Sequence, residues 1–259
     1  MTTPKFKVES GMQMLTRITK KPQLESFYPN LFKTGPRQGH VIEIFSNNDT
    51  SILLCDIICE SLLPVELGGK EAGVIIFNTD GKLNISFLKE ALRKKLITRR
   101  IDELKLNSYL IAMLSNLYMF GIYHTTQLHA TIYNLESILI NSPNISLVIF
   151  DSLTAFYWSE QTTRIVKMDL YIKVLLRIIQ VVVKDYKVVI LYTRPKYFSS
   201  SKEHLDKLEA CCDHPTVERL NYRIEVIYNE DGIHYADVRP FGKPFRSLFK
   251  LLGNNVQWL

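Results

Sequence analysis

Glycine is scarce in this chain. Eleven Gly in 259 residues is well under the average use of about 7%. Cysteine is scarce too, with four in all. Cys55 and Cys59 stand four apart in an apolar helical pattern, as core residues do, and Cys211 and Cys212 are adjacent. No disulfide framework is written here, and the reading is four reduced thiols. Long apolar runs are missing: residues 181–183 and 188–192 fall far short of the ~20 a membrane span needs. The first ten residues carry no apolar stretch of the kind a secretory leader uses, and no membrane association is expected. Hydrophobic residues make up 46% and charged residues 22%, which excludes a disordered or low-complexity chain.

What is present is an alternation. Residues 41–45, 74–78, 147–150 and 188–193 are short, nearly all apolar and rich in Val and Ile, as central parallel strands are. Helical patterns fill the gaps at 52–63, 85–96, 128–140 and 165–183. The expected fold class is α/β, a mostly parallel sheet with helices on both faces. Residues 222–228 and 233–238 flank Asn229-Glu230-Asp231-Gly232, which predicts an antiparallel C-terminal hairpin. Residues 199–215 are polar and patternless and read as a loop. The expected organisation is an N-terminal arm, 1–38, and one core, 39–259.

Ligands in such sheets sit beyond the carboxyl ends of the strands. The loop after the first strand is where nucleotide-binding folds keep a Gly-rich turn ending in Gly-Lys-Ser/Thr. No Gly-Lys pair here has that context: Glu71, Leu83 and Pro244 follow the three that occur. The loop in the right place is Ser46-Asn47-Asn48-Asp49-Thr50-Ser51, with no Gly and no cation. Its residues favour helix N-caps, and a carboxylate at Asp49 would oppose the positive end of the helix dipole and repel a phosphate. Two readings follow: an NTPase shape without nucleotide, or a capped helix in a fold that never bound one. Asp151 closes the 147–150 strand as a Mg²⁺-holding carboxylate does, or as a turn residue. Asp80 ends the neighbouring strand. His124 and His129 share no helix face, and Cys211, Cys212 and His214 lack the spacing of a zinc site, so no metal is expected.

Several of these residues together resemble the RecA-type recombinase paralogues. Glu9-Ser10-Gly11, Met14-Leu15 and Arg17, then Pro29-Asn30-Leu31-Phe32, Gly39 and Glu43 are similar to that family's arm and first strand. Leu63-Pro64, Phe77-Asn78-Thr79-Asp80 and above all Asp151-Ser152-Leu153-Thr154-Ala155-Phe156-Tyr157-Trp158 extend the likeness, in patches, over about residues 8–195. The resemblance implies a RecA-like ATPase-type core and a nuclear role in homologous recombination. It also implies assembly with another recombinase paralogue, of the D type, on single-stranded or branched DNA. Thr50 and Ser51 stand where the family has its Lys and Thr, in a loop about two residues shorter. Asp80 stands where active members carry a water-orienting Glu, and Asp151 remains as the family's Mg²⁺-associated carboxylate. The implied state is a subunit with a degenerate nucleotide site and no cofactor, ATP and Mg²⁺ included. The alternative is a DNA-dependent ATPase whose divergent site a partner completes. An unrelated α/β binding protein is a third reading.

The net charge of +6 is uneven. Residues 82–105 hold eight Lys/Arg against three Asp/Glu, and 239–250 hold four cations and no acid, so the remainder is slightly acidic. Arg93, Lys94, Lys95, Arg99 and Arg100 form one candidate DNA surface, and Arg239, Lys243, Arg246 and Lys250 another, with Phe241, Phe245 and Phe249 interleaved. Arg194 and Lys196 join them from the fourth strand's end. The first set also reads as a plain solvated face, the second as solvated neighbours of core Phe side chains, and Arg194 and Lys196 as a solvated loop. In the arm, Leu24, Phe27, Tyr28, Leu31 and Phe32 are expected to pack on a partner's core or to fold back on the chain's own sheet.

Overall fold

The computed structural model describes residues 11, 14, 18–161, 167–196, 220–240, 242–253 and 255–259. The loop expected at 199–215, with Cys211, Cys212 and His214, lies outside them, as do Glu9, Ser10, Leu15, Arg17 and Phe241.

A nine-stranded sheet, counted among the described residues, runs β3-β2-β4-β5-β1-β6-β7-β8-β9. Its strands are β1 Val41–Ser46, β2 Gly73–Asn78, β3 Leu117–Gly121, β4 Ile145–Asp151, β5 Val189–Pro195, β6 Tyr222–Ile227, β7 His234–Pro240, β8 Phe245–Leu252 and β9 Asn255–Trp258. From β3 to β6 every pairing is parallel, and from β6 to β9 every pairing is antiparallel. The α/β class, the RecA-like core and the antiparallel C-terminal extension all hold.

Burial explains the strands. Every residue of β1 and β4 is buried, because helices cover both sheet faces. Alternate residues divide between two cores. Ile42, Ile44, Val74, Ile76, Leu147 and Ile149 pack under helices α1 Ser51–Leu62, α2 Ile85–Thr98 and α3 Glu103–Ser115. Val41, Ile75, Phe77, Val148 and Phe150 pack under α4 Thr125–Asn141 and α5 Met168–Val183. Phe77 and Phe150 stack across β2 and β4, ring centroids 4.4 Å apart. Asn84 caps α2 by accepting from the Ser86 N–H at 2.8 Å, and Asp102 caps α3 through the Leu104 N–H at 3.3 Å. Cys55 and Cys59 are buried free thiols, and burial raises both above the usual thiol range, Cys55 to about 12.

The antiparallel part is larger than the sequence pattern suggested. The 245–252 segment is a strand in which half-buried or buried residues alternate with exposed ones. Phe249 is fully buried while Arg246 and Lys250 face out. The interleaving of aromatics and cations is therefore a period-two strand with one wet face.

The arm folds back. Leu24, Phe27, Tyr28, Leu31 and Phe32 all join the first core, with a single helical turn at Pro29–Phe32. Phe32 meets Tyr222 of β6 edge-on at 5.3 Å, and Tyr28 meets Trp258 of β9 at 5.7 Å. Gly35 is needed at this junction, because a Cβ there would lie 2.1 Å from the Tyr222 hydroxyl. Of the two placements open in the sequence, Phe27, Tyr28, Leu31 and Phe32 take the one on their own chain. As buried side chains they offer no surface to a partner, and that expectation is corrected. No helix among the described residues is long and apolar enough to cross a membrane.

Candidate functional site

The carboxyl ends of β1, β2, β4 and β5 border a cleft of about 300 Å³. Asp49, Thr50, Asp80, Lys82, Asp151 and Arg194 all line it. Ser51 sits just behind, at the start of α1. The structure thus brings the five sequence-flagged site residues to one place. Register makes the juxtaposition: Asn78 pairs with Asp151 across β2 and β4, and the N–H groups of Thr79 and Asp80 both donate to the Asp151 carbonyl, at 2.7 and 3.1 Å.

The loop after β1 is closed by its own side chains. The Asp49 carboxylate accepts from the Ser51 N–H at 3.0 Å and from the Ser51 hydroxyl at 2.6 Å. A negative charge therefore rests on the N-terminus of α1, where the dipole and the unpaired N–H groups favour an anion. Ser46 donates to the Val226 carbonyl at 2.8 Å and accepts from the Asn48 N–H at 3.1 Å, tying the loop to β6.

Asp151 is 3% exposed. Its Oδ1 accepts from the Thr193 hydroxyl at 2.6 Å, and its Oδ2 has no hydrogen-bond partner among the described residues. Burial pushes the carboxyl up to about 6; Asp80 and Asp49 add to the shift, while the Thr193 hydrogen bond and Lys82 oppose it. Lys82 answers the three acids. Its Nζ lies 3.1 Å from Asp80 Oδ2. Partial burial disfavours its charge, but Asp80, with Asp151 and Asp49 beyond, raises its pKa above the usual lysine value.

The N-terminus of α1 carries Asp49, the loop after β1 supplies no cation, and Lys82 is engaged by carboxylates.

Beside the cleft is a buried ion network that sequence reasoning missed. Glu43, in the middle of β1, is 4% exposed. It accepts from Arg194 Nε at 2.6 Å and from the Tyr192 hydroxyl at 3.0 Å, and Arg223 Nε lies 2.8 Å from its other oxygen. Both guanidinium groups also lie over the Phe45 ring, at 5.6 and 4.9 Å. The signal was a lone carboxylate inside Val-Ile-Glu-Ile-Phe, which must find partners if that strand is central. Which partners depends on register, since Glu43 stands opposite Tyr192 on one side and Arg223 on the other.

No protein-family model matches the chain. The chain is similar to DNA repair protein XRCC2 of Mus musculus. The two are 23% identical over 224 residues, 84% of this chain and 78% of the relative. The resemblance to recombinase paralogues read from the residues holds in this similarity.

Arg194 is not available to DNA. Its guanidinium is 2% exposed and bound to Glu43, with Asp169 at 4.0 Å. Lys95 is turned inward, 2.8 Å from Asp56 and 2.5 Å from Glu60. Asp56 in turn accepts from Tyr28, and Trp258 Nε1 donates to the Tyr28 hydroxyl at 3.1 Å. Lys95 thus belongs to a strut joining arm, α1, α2 and β9. These two expectations are corrected, because each cation neutralises a buried carboxylate. Four others have acidic neighbours. Arg99 lies 3.8 Å from Glu60, Lys94 3.9 Å from Glu90 and Lys196 2.5 Å from Glu225, and Arg246 holds Asp237 through two hydrogen bonds of 2.6 and 2.8 Å. Arg93, Arg100, Arg239, Lys243 and Lys250 are exposed.

Proposed function

We propose that this chain is a non-catalytic recombinase-paralogue subunit acting in homologous recombination and DNA double-strand-break repair in the nucleus. The role in DNA repair rests on the similarity to XRCC2. The non-catalytic part rests on one observation: Asp49 holds the N-terminus of α1 through the Ser51 N–H and hydroxyl. A side-chain carboxylate there does the electrostatic work that a phosphate does in nucleotide-binding relatives of this architecture. Lys82 then neutralises the carboxylates around it. The cleft serves as structure, and the chain scaffolds another recombinase paralogue, of the D type, on single-stranded or branched DNA. Arg93, Arg100, Arg239 and Lys250 are the exposed cations offered to phosphates. Such contacts position a complex without reading sequence.

The Oδ2 of Asp151, buried without a hydrogen-bond partner, favours a second reading, an ATPase site completed by a neighbouring subunit. ATP hydrolysis by the purified chain, alone and with the paralogue that co-purifies with it, separates the two. Scaffolding gives the same rate for the wild type and Asp151→Ala in both settings. A partner-dependent rate that Asp151→Ala abolishes establishes the second reading. Mass spectrometry of co-purifying proteins supplies the partner, and capture of no recombinase-like protein would sink both.

A further inference from the structure

A second cleft, of about 470 Å³, opens at the other end of the parallel strands, where β1 and β6 begin. The end of the arm, the residues just before β1 and β6, and Pro240, Lys243 and Phe245 build it. Lys33, Arg37, His40, Tyr222, Lys243 and Phe245 line it, and no carboxylate among the described residues does. Lys33, Arg37 and Lys243 are all exposed. Lys33 Nζ sits 4.0 Å over the Phe245 ring. The Arg37 N–H donates to His40 Nδ1 at 3.2 Å, which places the neutral ring's proton on Nε2. The nearest acid to Arg37 is Glu25, at 3.7 Å and itself 54% exposed, a pair that is worth little and yields readily.

Three exposed cations lining one concave cleft suit a single multiply charged group. A track for successive bases would need open aromatic faces. Here Phe245 is covered by Lys33, and Tyr222 is buried against Phe32. An internal phosphodiester brings one charge to such a spot, whereas a phosphate monoester brings close to two and three acceptor oxygens, a match for the Arg37 fork and two ammonium groups.

We infer that this cleft binds a phosphate monoester, carried by a free mononucleotide or by the 5′-phosphorylated end of a DNA strand. The site shares no lining residue with the acidic cleft, so it stands or falls apart from the scaffold reading.

The test is fluorescence anisotropy of the full chain with a labelled oligothymidylate, 5′-phosphorylated or 5′-hydroxyl, at one salt concentration. The phosphorylated strand is expected to bind about tenfold tighter, the size of one or two charge-assisted hydrogen bonds. Arg37→Glu and Lys243→Glu should each erase that preference while leaving the melting temperature in place, since both side chains are exposed. AMP and inorganic phosphate are the competitors. AMP competing as well as the phosphorylated strand assigns the site to a free nucleotide, and a much stronger effect of the strand assigns it to DNA ends. Equal affinity for the two strands, or a preference that survives both substitutions, overturns the inference.

Discussion

The two ends of the parallel sheet carry opposite charge and use it differently. At the carboxyl ends of the strands, Asp49, Asp80 and Asp151 are answered from within by Ser51, Lys82 and Thr193. At the amino ends, Lys33, Arg37 and Lys243 line a cleft with no acid among the described residues of its wall. The acids are contacted from within the fold, apart from Asp151 Oδ2, whereas the cations are exposed and their one acidic neighbour, Glu25 beside Arg37, is exposed too. On the reading proposed above, the acidic end is structural and the basic end is the binding surface.

The contrast sets an order of effects on stability. Arg194→Ala should do the most, because it leaves Glu43 buried with less compensation. Breaking a buried pair costs about 3–5 kcal/mol, readable by urea unfolding, and a loss below about 1 kcal/mol would mean the network is dispensable. Asp151→Asn should act in the other direction. The carboxyl is raised to about 6 in the folded chain, against about 3.9 unfolded. A raised acid contributes its stability below the unfolded value and loses it as pH climbs through the folded one. This group should therefore contribute a loss of about 2 kcal/mol to the wild type between pH 4 and pH 7. Asp151→Asn, which cannot titrate, should lack that loss and gain about as much over the wild type at pH 7. Parallel pH profiles for the two proteins would contradict the assignment. Asp49→Ala removes the acceptor of the Ser51 N–H and hydroxyl at the start of α1 and should cost about 1 kcal/mol, and no change in melting temperature would remove that role. At the basic end, Arg37→Glu and Lys243→Glu should stay within about 0.5 kcal/mol. A larger loss would show that these cations are structural after all, and the contrast between the ends would collapse.

The sequence pattern and the structure agree where burial is complete and part where it is not. The strands β1, β2, β4 and β5 were legible because apolar residues on both faces leave an unbroken Val/Ile-rich run. The edge strand β3, Leu-Tyr-Met-Phe-Gly, was not read, being half-buried throughout and without β-branched residues. Nor was α3, which holds only Leu106, Leu110 and Met113 in the core. In β8 the alternation of Phe with cations was visible but fitted two meanings, and only pairing with β7 and β9 shows which face is wet. The acidic cleft could be found from the strand-end rule alone. The Glu43 network could not, since its partners lie about 150 and 180 residues away and meet it only through register. Lys95 and Arg194 were misplaced for a related reason. A cation count along the chain does not say which cations face a buried carboxylate. The arm's aromatics equally fitted two locations until β6 and β9 supplied Tyr222 and Trp258 as neighbours.

The central claim is that Asp49 has taken the place of phosphate at the start of α1. Calorimetric titration of the full chain with ATP and Mg²⁺ tests it most directly. The account expects no saturable heat for the wild type. Submicromolar binding of ATP and Mg²⁺ that is lost in Asp49→Lys would contradict it, because the carboxylate would then be serving the nucleotide rather than replacing it.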